Sequence, residues 1–181
     1  MTPLRLRIPG RSPRPADNDR PILAVDIDGV LSLFGFKEPP DSPDFKLHLV
    51  DGTMHCFSLP AGRRVQELAR DFDIVWATGW EHEVEQLSKL LGFPAWPYLT
   101  FDGAARFGSA DWKLAPLQEY ARGRPLAWVD DNLDSICYAW ARTRSEPTLL
   151  VEVEPQLGLQ PVHVEALSGW AKSLAAGPVG G

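Results

Sequence analysis

The sequence predicts an α/β protein, a three-layer sandwich in which helices cover both faces of a central parallel sheet of about five strands. Three observations predict this fold. Short apolar runs rich in Val, Ile and Leu, typical of buried parallel strands, recur along the chain. Segments with the apolar spacing of helices separate these runs. The chain has 181 residues, which is enough for one domain with a substantial core.

The charge distribution and composition divide the chain into one domain, predicted over residues 21–174, and two terminal segments. Residues 1–20 are a basic, proline-containing tail with a charge of +3, which leaves −9 on the rest of a chain of net charge −6. A flexible, solubilising leader is the favoured interpretation of this tail, and residues 175–181 are expected to be a flexible C-terminus. An acidic body is not typical of a general nucleic-acid binder, although the tail could contact phosphate backbones.

Strand and helix signals alternate along the predicted domain. The first strand is expected at about 21–27, where Ile, Leu, Ala and Val follow one another. Asp51-Gly52 lies between two short runs with strand character and predicts a two-residue β-hairpin, which makes residues 45–59 a hairpin flap. Pro60 begins a helix. The remaining strands are expected at 72–77, 98–101 (the weakest), 126–129 and 148–151, and the remaining helices begin near Trp80, Lys113, Asn132 and Val162.

The composition argues against several classes of protein. No apolar run approaches the roughly 18 residues of a membrane span, and the first residues lack the apolar stretch of a secretory signal. A cytoplasmic location without a membrane partner is therefore the default expectation. Cys56 and Cys137 show neither metal-site spacing nor a disulfide pattern, and both are expected to be small buried residues. Any metal would therefore be held by carboxylates.

The first strand ends in Asp26-Ile27-Asp28-Gly29. Ligands of open α/β sheets lie beyond the carboxyl ends of such strands. Two carboxylates that are two residues apart can share one side of the chain, and their burial is costly unless a cation neutralises them. A hard divalent cation with oxygen ligands is the expected neutraliser, and this indicates phosphate chemistry.

Three further features are expected at the same edge of the sheet. Thr78-Gly79 closes the second strand, Lys113 opens a helix, and Asp130-Asp131 closes the strand at 126–129. Together with the first aspartate pair they supply a carboxylate nucleophile, a second carboxyl group, a hydroxyl donor, a fixed cation and acidic metal ligands. A site for phosphoryl transfer needs these parts.

Each of these side chains has a physical task in such a site. Asp26 can attack phosphorus, and Asp28 can protonate the leaving oxygen and then deprotonate water. Thr78 and nearby backbone N–H groups can hold phosphoryl oxygens. Lys113 can offset charge on the nucleophile and the phosphate, and Asp130-Asp131 completes a Mg²⁺ site.

The order and spacing of these motifs over residues 21 to about 152 resemble the four motifs of the haloacid dehalogenase superfamily: Asp26-Ile27-Asp28-Gly29-Val30, Thr78, Lys113 and Asp130-Asp131. The resemblance implies a Rossmann-like fold, with Asp26 as the nucleophile and Asp28 as the general acid/base. It also implies that Mg²⁺ is held by Asp26, the backbone carbonyl of Asp28 and Asp130, with Asp131 as a nearby or water-bridged ligand. A second Asp two residues after the first favours a phosphatase over a dehalogenase.

Two shorter stretches, residues 76–83 and 128–131, also resemble small domains of this superfamily that occur alone and in Swiss-Army-knife RNA-repair proteins. Substrate contacts are expected around the end of the second strand and at the helix start: Thr78, Gly79, Trp80, His82 and Lys113. Glu81 and Glu83 need no such role, because the helix dipole favours acids in a first turn.

The two places where this superfamily inserts cap domains are short in this chain. Residues 31–60 offer a loop and a hairpin, and the 34 residues between Thr78 and Lys113 are used by a helix, a weak strand and a linker. The site is therefore expected to be open and shielded only by the hairpin at 45–59. Such a site would admit a phosphate on a nucleic-acid end or a protein as well as a small ester.

The sequence thus predicts a Mg²⁺-dependent phosphomonoester hydrolase that acts through an aspartyl-phosphate intermediate. One alternative is a metal-dependent nuclease that uses the same acids with water as the nucleophile. Another is a non-catalytic binding module that keeps the fold, against which the intact set of acids and Lys113 count. The expected partner is a phosphorylated substrate, and the acidic body does not support nucleic acid in that role.

Overall fold

A parallel sheet of four strands lies at the centre of the computed structural model, which describes residues 19–50, 52–101 and 108–176. The strands in chain order are β1 (Ile22–Val25), β2 (Ser32–Leu33), β3 (Phe45–Val50), β4 (Thr53–Ser58), β5 (Asp73–Trp76), β6 (Leu126–Asp130) and β7 (Thr148–Glu152). The α-helices are α1 (Leu59–Leu68), α2 (Val84–Leu91), α3 (Leu114–Tyr120), α4 (Ser135–Thr143) and α5 (Pro161–Ala175).

The central sheet has the strand order β5-β1-β6-β7, and all of its pairings are parallel. Parallel neighbours need crossover connections, which the helices provide. All residues of β1 are buried, and they alternate between two cores: Leu23 and Val25 face one, Ile22 and Ala24 the other. Because the strands are parallel, their carboxyl ends meet at one edge, and the sequence motifs follow at that edge.

Helices cover both faces of this sheet, as predicted. Side chains from α1, α2 and α5 pack on the face that carries Leu23, and side chains from α3 and α4 pack on the face that carries Ile22. Two tryptophans on the sheet, Trp76 and Trp128, are fully buried, one in each core. The α/β class with helices on both sides of a parallel sheet is therefore confirmed.

The expected fifth strand at 98–101 is not confirmed. This segment makes a single bridge, between Tyr98 and Trp76, in which the Trp76 N–H donates to the Pro97 carbonyl and the Leu99 N–H donates to the Trp76 carbonyl. Pro97 has no N–H with which to extend the ladder in one direction. In the other direction the Phe101 N–H donates to the Glu81 side chain at 2.9 Å. Backbone pairing therefore stops after one bridge.

The predicted hairpin forms, with strands β3 and β4 joined in the expected register. Val50 pairs with Thr53, and Gly52 has a φ of 81°, which the tight turn requires; Asp51 lies outside the described residues. The sequence did not predict β2, which pairs antiparallel to β4 and makes a separate three-stranded sheet. Since β2 follows Gly29 by three residues, it attaches the hairpin to the edge where β1 ends.

Helix starts differ from their predicted positions by a few residues. The segment after β5 begins with a 3-10 turn at Glu81–Glu83 before α2, and Lys113 ends the 3-10 turn Asp111–Lys113 before α3. Helix α4 begins after Asp134, whose carboxylate accepts the N–H groups of Ile136 and Cys137. With these two capping bonds the helix starts later than the predicted position near Asn132.

The described parts of the terminal segments are short. Residues 1–18 and 177–181, and with them most of the predicted tail and C-terminus, lie outside the described residues. The Arg20 side chain donates to the carbonyls of Ala69, Arg70 and Phe72 and thus joins the folded body. Both cysteines are buried and free, as predicted. Among the described helices, none is long and apolar enough to cross a membrane.

Candidate active site

The acidic motifs come together at the carboxyl-terminal edge of the central sheet. Asp26 follows β1 directly, and its N–H donates to the Val129 carbonyl of β6 at 3.0 Å. Asp130 is the last residue of β6. On the other side of β1, the Ala77 N–H donates to the Val25 carbonyl at 2.8 Å, which places Thr78 just beyond the sheet. These backbone bonds fix the strand ends relative to one another.

Lys113 lies between two of the carboxylates. Its ammonium Nζ is 2.6 Å from Asp26 Oδ2 and 2.7 Å from Asp130 Oδ2, and its side chain is only 3% exposed. The 3-10 turn before α3 brings the lysine to this position from outside the sheet. The cation therefore neutralises part of a buried acidic cluster.

Three carboxylates form a group that could hold a metal ion. Asp26, Asp130 and Asp131 each offer an oxygen, and these oxygens lie within 4.8 Å of one another. Each of the three carboxylates also accepts a hydrogen bond from a donor close in sequence: Asp26 Oδ1 accepts the Ile27 N–H, Asp130 Oδ1 accepts the Asn132 N–H, and Asp131 Oδ1 accepts from the Asn132 side-chain amide. The carboxylates are thus oriented before any ligand binds.

The charge of this group is only partly balanced. Burial, together with the negative charge of Asp26, raises the pKa of Asp130 to about 7 and that of Asp131 to about 6. Burial alone would lower the pKa of Lys113, but the attraction of Asp26 and Asp130 outweighs it and raises that pKa, so the lysine stays charged. One ammonium cannot neutralise three carboxylates, and an all-oxygen donor set with excess negative charge fits a hard divalent cation.

Asp28 has surroundings of its own. Its carboxylate Oδ2 accepts a hydrogen bond from the Trp80 indole Nε1–H at 2.8 Å, and its Oδ1 lies 3.7 Å from His55 Nδ1. Partial burial, helped by the charge of Asp26, raises the pKa of Asp28, although 47% of its side chain remains exposed. The Asp28 carboxyl is therefore partly accessible to solvent, with its pKa above the usual range.

An aromatic group packs beside Asp28. The His55 ring meets the Trp80 ring edge-on with 4.7 Å between centroids, and Phe57 lies 6.1 Å from Trp80. Ser32 Oγ is 2.9 Å from His55 Nδ1. The hairpin thus contributes side chains to the site edge.

The other predicted substrate contacts fall in different places. Thr78 is fully buried, and its hydroxyl accepts the Trp80 backbone N–H at 3.5 Å, while Gly79 is exposed beside it. His82 does not join the acidic cluster: its side chain is 67% exposed and pairs with Glu83 at 3.3 Å. Its predicted contact with substrate stays a prediction.

Sequence reasoning missed three polar residues of this edge: His55, Ser32 and Asn132. The hairpin signal gives the register of His55, opposite His48, but not the part of the sheet against which the hairpin folds. Ser32 lies in the unpredicted β2. Asn132, adjacent to the acidic pair, could have been found as an amide donor by its position alone.

Gly29 has a defined role at the close approach of two chain segments. Its φ is 71°, and a Cβ at this position would lie 2.4 Å from Asp131 Cγ. Any side chain here would displace the Asp131 carboxylate. The glycine after the aspartate pair therefore makes room for the Asp131 carboxylate, one of the three that could hold a metal ion.

Comparison with family models finds none that matches this chain, and comparison with curated protein sequences also finds no match. The described residues form an α/β protein. At the carboxyl-terminal edge of its parallel sheet, a lysine bridges two members of an acidic cluster.

Proposed function

We propose that the protein is a Mg²⁺-dependent phosphomonoester hydrolase of the haloacid dehalogenase type, with a Rossmann-like sandwich as its fold. One observation carries the proposal: Lys113 joins Asp26 to Asp130 at the sheet edge, with Asp131 in the same group. A carboxylate can attack a phosphate dianion only when cations offset the repulsion between them. Lys113 supplies one cation, and the carboxylate group offers a place for another.

Hydrolysis divides into two displacements with Asp26 as the nucleophile. A carboxylate oxygen of Asp26 forms a bond to phosphorus while the bond from phosphorus to the leaving oxygen breaks, and Asp28 gives its proton to that oxygen. A water oxygen then attacks the phosphorus of the aspartyl phosphate, Asp28 takes the water proton, and the bond to Asp26 breaks. Inorganic phosphate leaves, and both aspartates return to their starting states.

Mg²⁺ would be held by Asp26, Asp130 and Asp131, together with the Asp28 backbone carbonyl that the family resemblance implies. When bound, it neutralises charge on the nucleophile and the phosphoryl oxygens. Lys113 orients the Asp26 carboxylate and offsets its charge through their 2.6 Å contact. Backbone N–H groups after β5, near Thr78, would receive phosphoryl oxygens.

The substrate proposal follows from the small amount of structure around the site. Between Gly29 and β5, the described residues form only β2, the hairpin and α1. Nothing there corresponds to a helical cap domain. We therefore propose an open site, which would take a phosphate on a large molecule such as a nucleic-acid end or a protein, as well as a small ester.

A phosphate-release screen tests this function. Phosphorylated nucleotides, sugars, nucleic-acid ends and phosphopeptides are incubated with the protein, with Mg²⁺ or with a chelator. We expect release of inorganic phosphate from at least one class, only with the metal. Absence of release from every class would contradict the proposal, and so would cleavage of phosphodiesters that leaves the phosphate attached.

The stabilisation of the fold by Mg²⁺ should depend on pH. Asp130 and Asp131 have pKa values raised to about 7 and about 6, so their protons oppose metal binding below that range. Because both pKa values are raised above the ordinary 3.8, the contribution of these two groups to the metal-free fold is fully present below about pH 4 and is lost as the pH rises from there through about 6 to 7. We expect a larger Mg²⁺-induced increase in Tm at pH 8 than at pH 5.

Thermal melts with MgCl₂, or with NaCl at the same ionic strength, measure this effect at both pH values. Equal Mg²⁺-induced shifts at pH 5 and pH 8 would show that the two raised carboxyl groups do not hold the ion.

Replacing Gly29 by Ala should weaken Mg²⁺ binding. A Cβ there would meet the Asp131 carboxylate, whereas Gly123, which also has a positive φ of 75°, has nothing within 4 Å of such a Cβ. Both Gly29→Ala and Gly123→Ala should lose about 1–2 kcal/mol of stability from backbone strain. Only Gly29→Ala should reduce Mg²⁺ affinity, by about tenfold or more.

Urea unfolding measures the strain in the two glycine variants, and calorimetric titration with MgCl₂ measures their affinity. If the two variants bind Mg²⁺ equally well, Asp131 is not part of the metal site.

A further inference from the structure

We propose that Trp80 and His55 are positioning residues for Asp28: the indole holds one carboxyl oxygen, so that the other exchanges the proton with the leaving group and with water. The inference rests on the proposed phosphatase function. In it, Trp80 acts by orienting Asp28, the general acid/base, and not by binding the substrate. The relevant contact is the 2.8 Å hydrogen bond from Trp80 Nε1–H to Asp28 Oδ2.

The hydrogen bond from the Trp80 indole determines which oxygen of Asp28 carries the proton. An indole N–H is only a donor, so Asp28 Oδ2 must accept in this contact, whatever the charge of the carboxyl group. A proton on Asp28 is therefore directed to Oδ1, which lies on the side of His55. Because nearly half of the Asp28 side chain is exposed, the carboxyl group needs such a contact to keep one orientation.

Trp80 is itself held from two sides. On one side, the His55 and Phe57 rings both pack against the indole in T-shaped contacts, with 4.7 Å and 6.1 Å between ring centroids. On the other side, the chain turns sharply at Glu81, the one described non-glycine residue with a positive φ, at 45°. The Glu81 carboxylate accepts the Phe101 N–H at 2.9 Å and thereby secures this uncommon conformation.

His55 connects this arrangement to the hairpin. Its Nδ1 lies 2.9 Å from Ser32 Oγ of β2 and 3.7 Å from Asp28 Oδ1. The ring is therefore held between strand β2 and the Asp28 carboxyl group. The hairpin strands therefore act on the reaction through the orientation of Asp28. No comparable contact joins the hairpin to Asp26, Asp130 or Asp131 among the described residues.

Leaving-group dependence distinguishes positioning of an acid from general support of the fold. In the first displacement the leaving oxygen takes the Asp28 proton as its bond to phosphorus breaks. An alkyl oxygen needs that proton, whereas a 4-nitrophenolate leaves readily without it. The parameter kcat/KM covers the steps up to this departure, so comparing the two esters isolates the acid.

The experiment measures kcat/KM with glycerol phosphate and with 4-nitrophenyl phosphate for Trp80→Phe, which removes the N–H and keeps an aromatic ring. We expect the loss on the alkyl ester to exceed the loss on the aryl ester by about 10- to 100-fold, part of the 10²- to 10⁴-fold that acid–base catalysis supplies. His55→Asn should shift the ratio in the same direction. Adding Trp80→Phe to Asp28→Asn should cause no further loss on the alkyl ester.

The matched control is His48→Asn, because His48 is exposed and pairs with His55 across the same hairpin. Its ratio between the two esters should equal that of the wild type. Equal losses on both esters in Trp80→Phe, or a further loss in the Asp28→Asn background, would overturn the positioning role. If the wild type releases no phosphate from either ester or from the wider panel, the proposed function itself fails.

Discussion

Replacement of Asp26 by Asn should reduce phosphate release by at least about 10³-fold, because the carboxamide has nearly the same shape and no nucleophilic oxygen. The loss should appear in kcat with every substrate, since both displacements pass through this side chain. The fold should persist: Asp130 still pairs with Lys113 at 2.7 Å, and the change removes one of three neighbouring negative charges.

The matched control is Asp44→Asn, which changes an exposed carboxylate that pairs with Arg63 at 3.5 Å outside the site. Its phosphate release and Tm should both match the wild type. Phosphate release by Asp26→Asn at the wild-type rate, in protein with a normal melting curve, would contradict a nucleophilic role for Asp26.

The second large effect is expected from Lys113→Met. Methionine keeps most of the length and removes the charge, which leaves Asp26 and Asp130 buried without their cation. Loss of one partner from a buried ion pair typically costs about 3–5 kcal/mol. We expect a destabilisation of this size at pH 8 in a chelator, together with loss of phosphate release.

The Lys113→Met effect should be smaller at pH 5. Without the lysine, the pKa of Asp130 rises further in the folded state, so the folded state binds more protons than the unfolded state above about pH 4. The stability of the variant therefore falls as the pH rises. Urea unfolding at pH 5 and pH 8 measures this, with Lys89→Met on the exposed side of α2 as the control. A loss that is the same at both pH values, or absent, would contradict the shared ion pair.

The central strands and the acidic cluster could be predicted because their signals are local. The run before Asp26 is apolar at every position, as a strand buried on both faces must be, and the run before Asp130 is similar. The turn at Gly52 likewise depends on two residues only. Because β1 and β6 are parallel neighbours, the residues at their carboxyl ends must lie close together. These residues are Asp26, Asp130 and Asp131.

The parts that could not be predicted depend on distant partners. The segment at 98–101 has strand character, but Pro97 and the bond from Phe101 to Glu81 limit its pairing to one bridge. Nothing local indicates that β2 pairs with the hairpin and brings His55 to Asp28. The hydrogen bond from the Trp80 indole to Asp28 lies next to the sharp turn at Glu81, a positive φ that non-glycine residues seldom adopt.

The covalent step is tested most directly in Asp28→Asn with 4-nitrophenyl phosphate and Mg²⁺. This aryl group leaves without an acid, whereas the attacking water loses its base, so the aspartyl phosphate should accumulate. Borohydride added at quench reduces an acyl phosphate to the alcohol, and peptide mass mapping should find homoserine at position 26. An unmodified Asp26 in protein that has released nitrophenol and phosphate would contradict the nucleophilic mechanism and indicate direct attack by water.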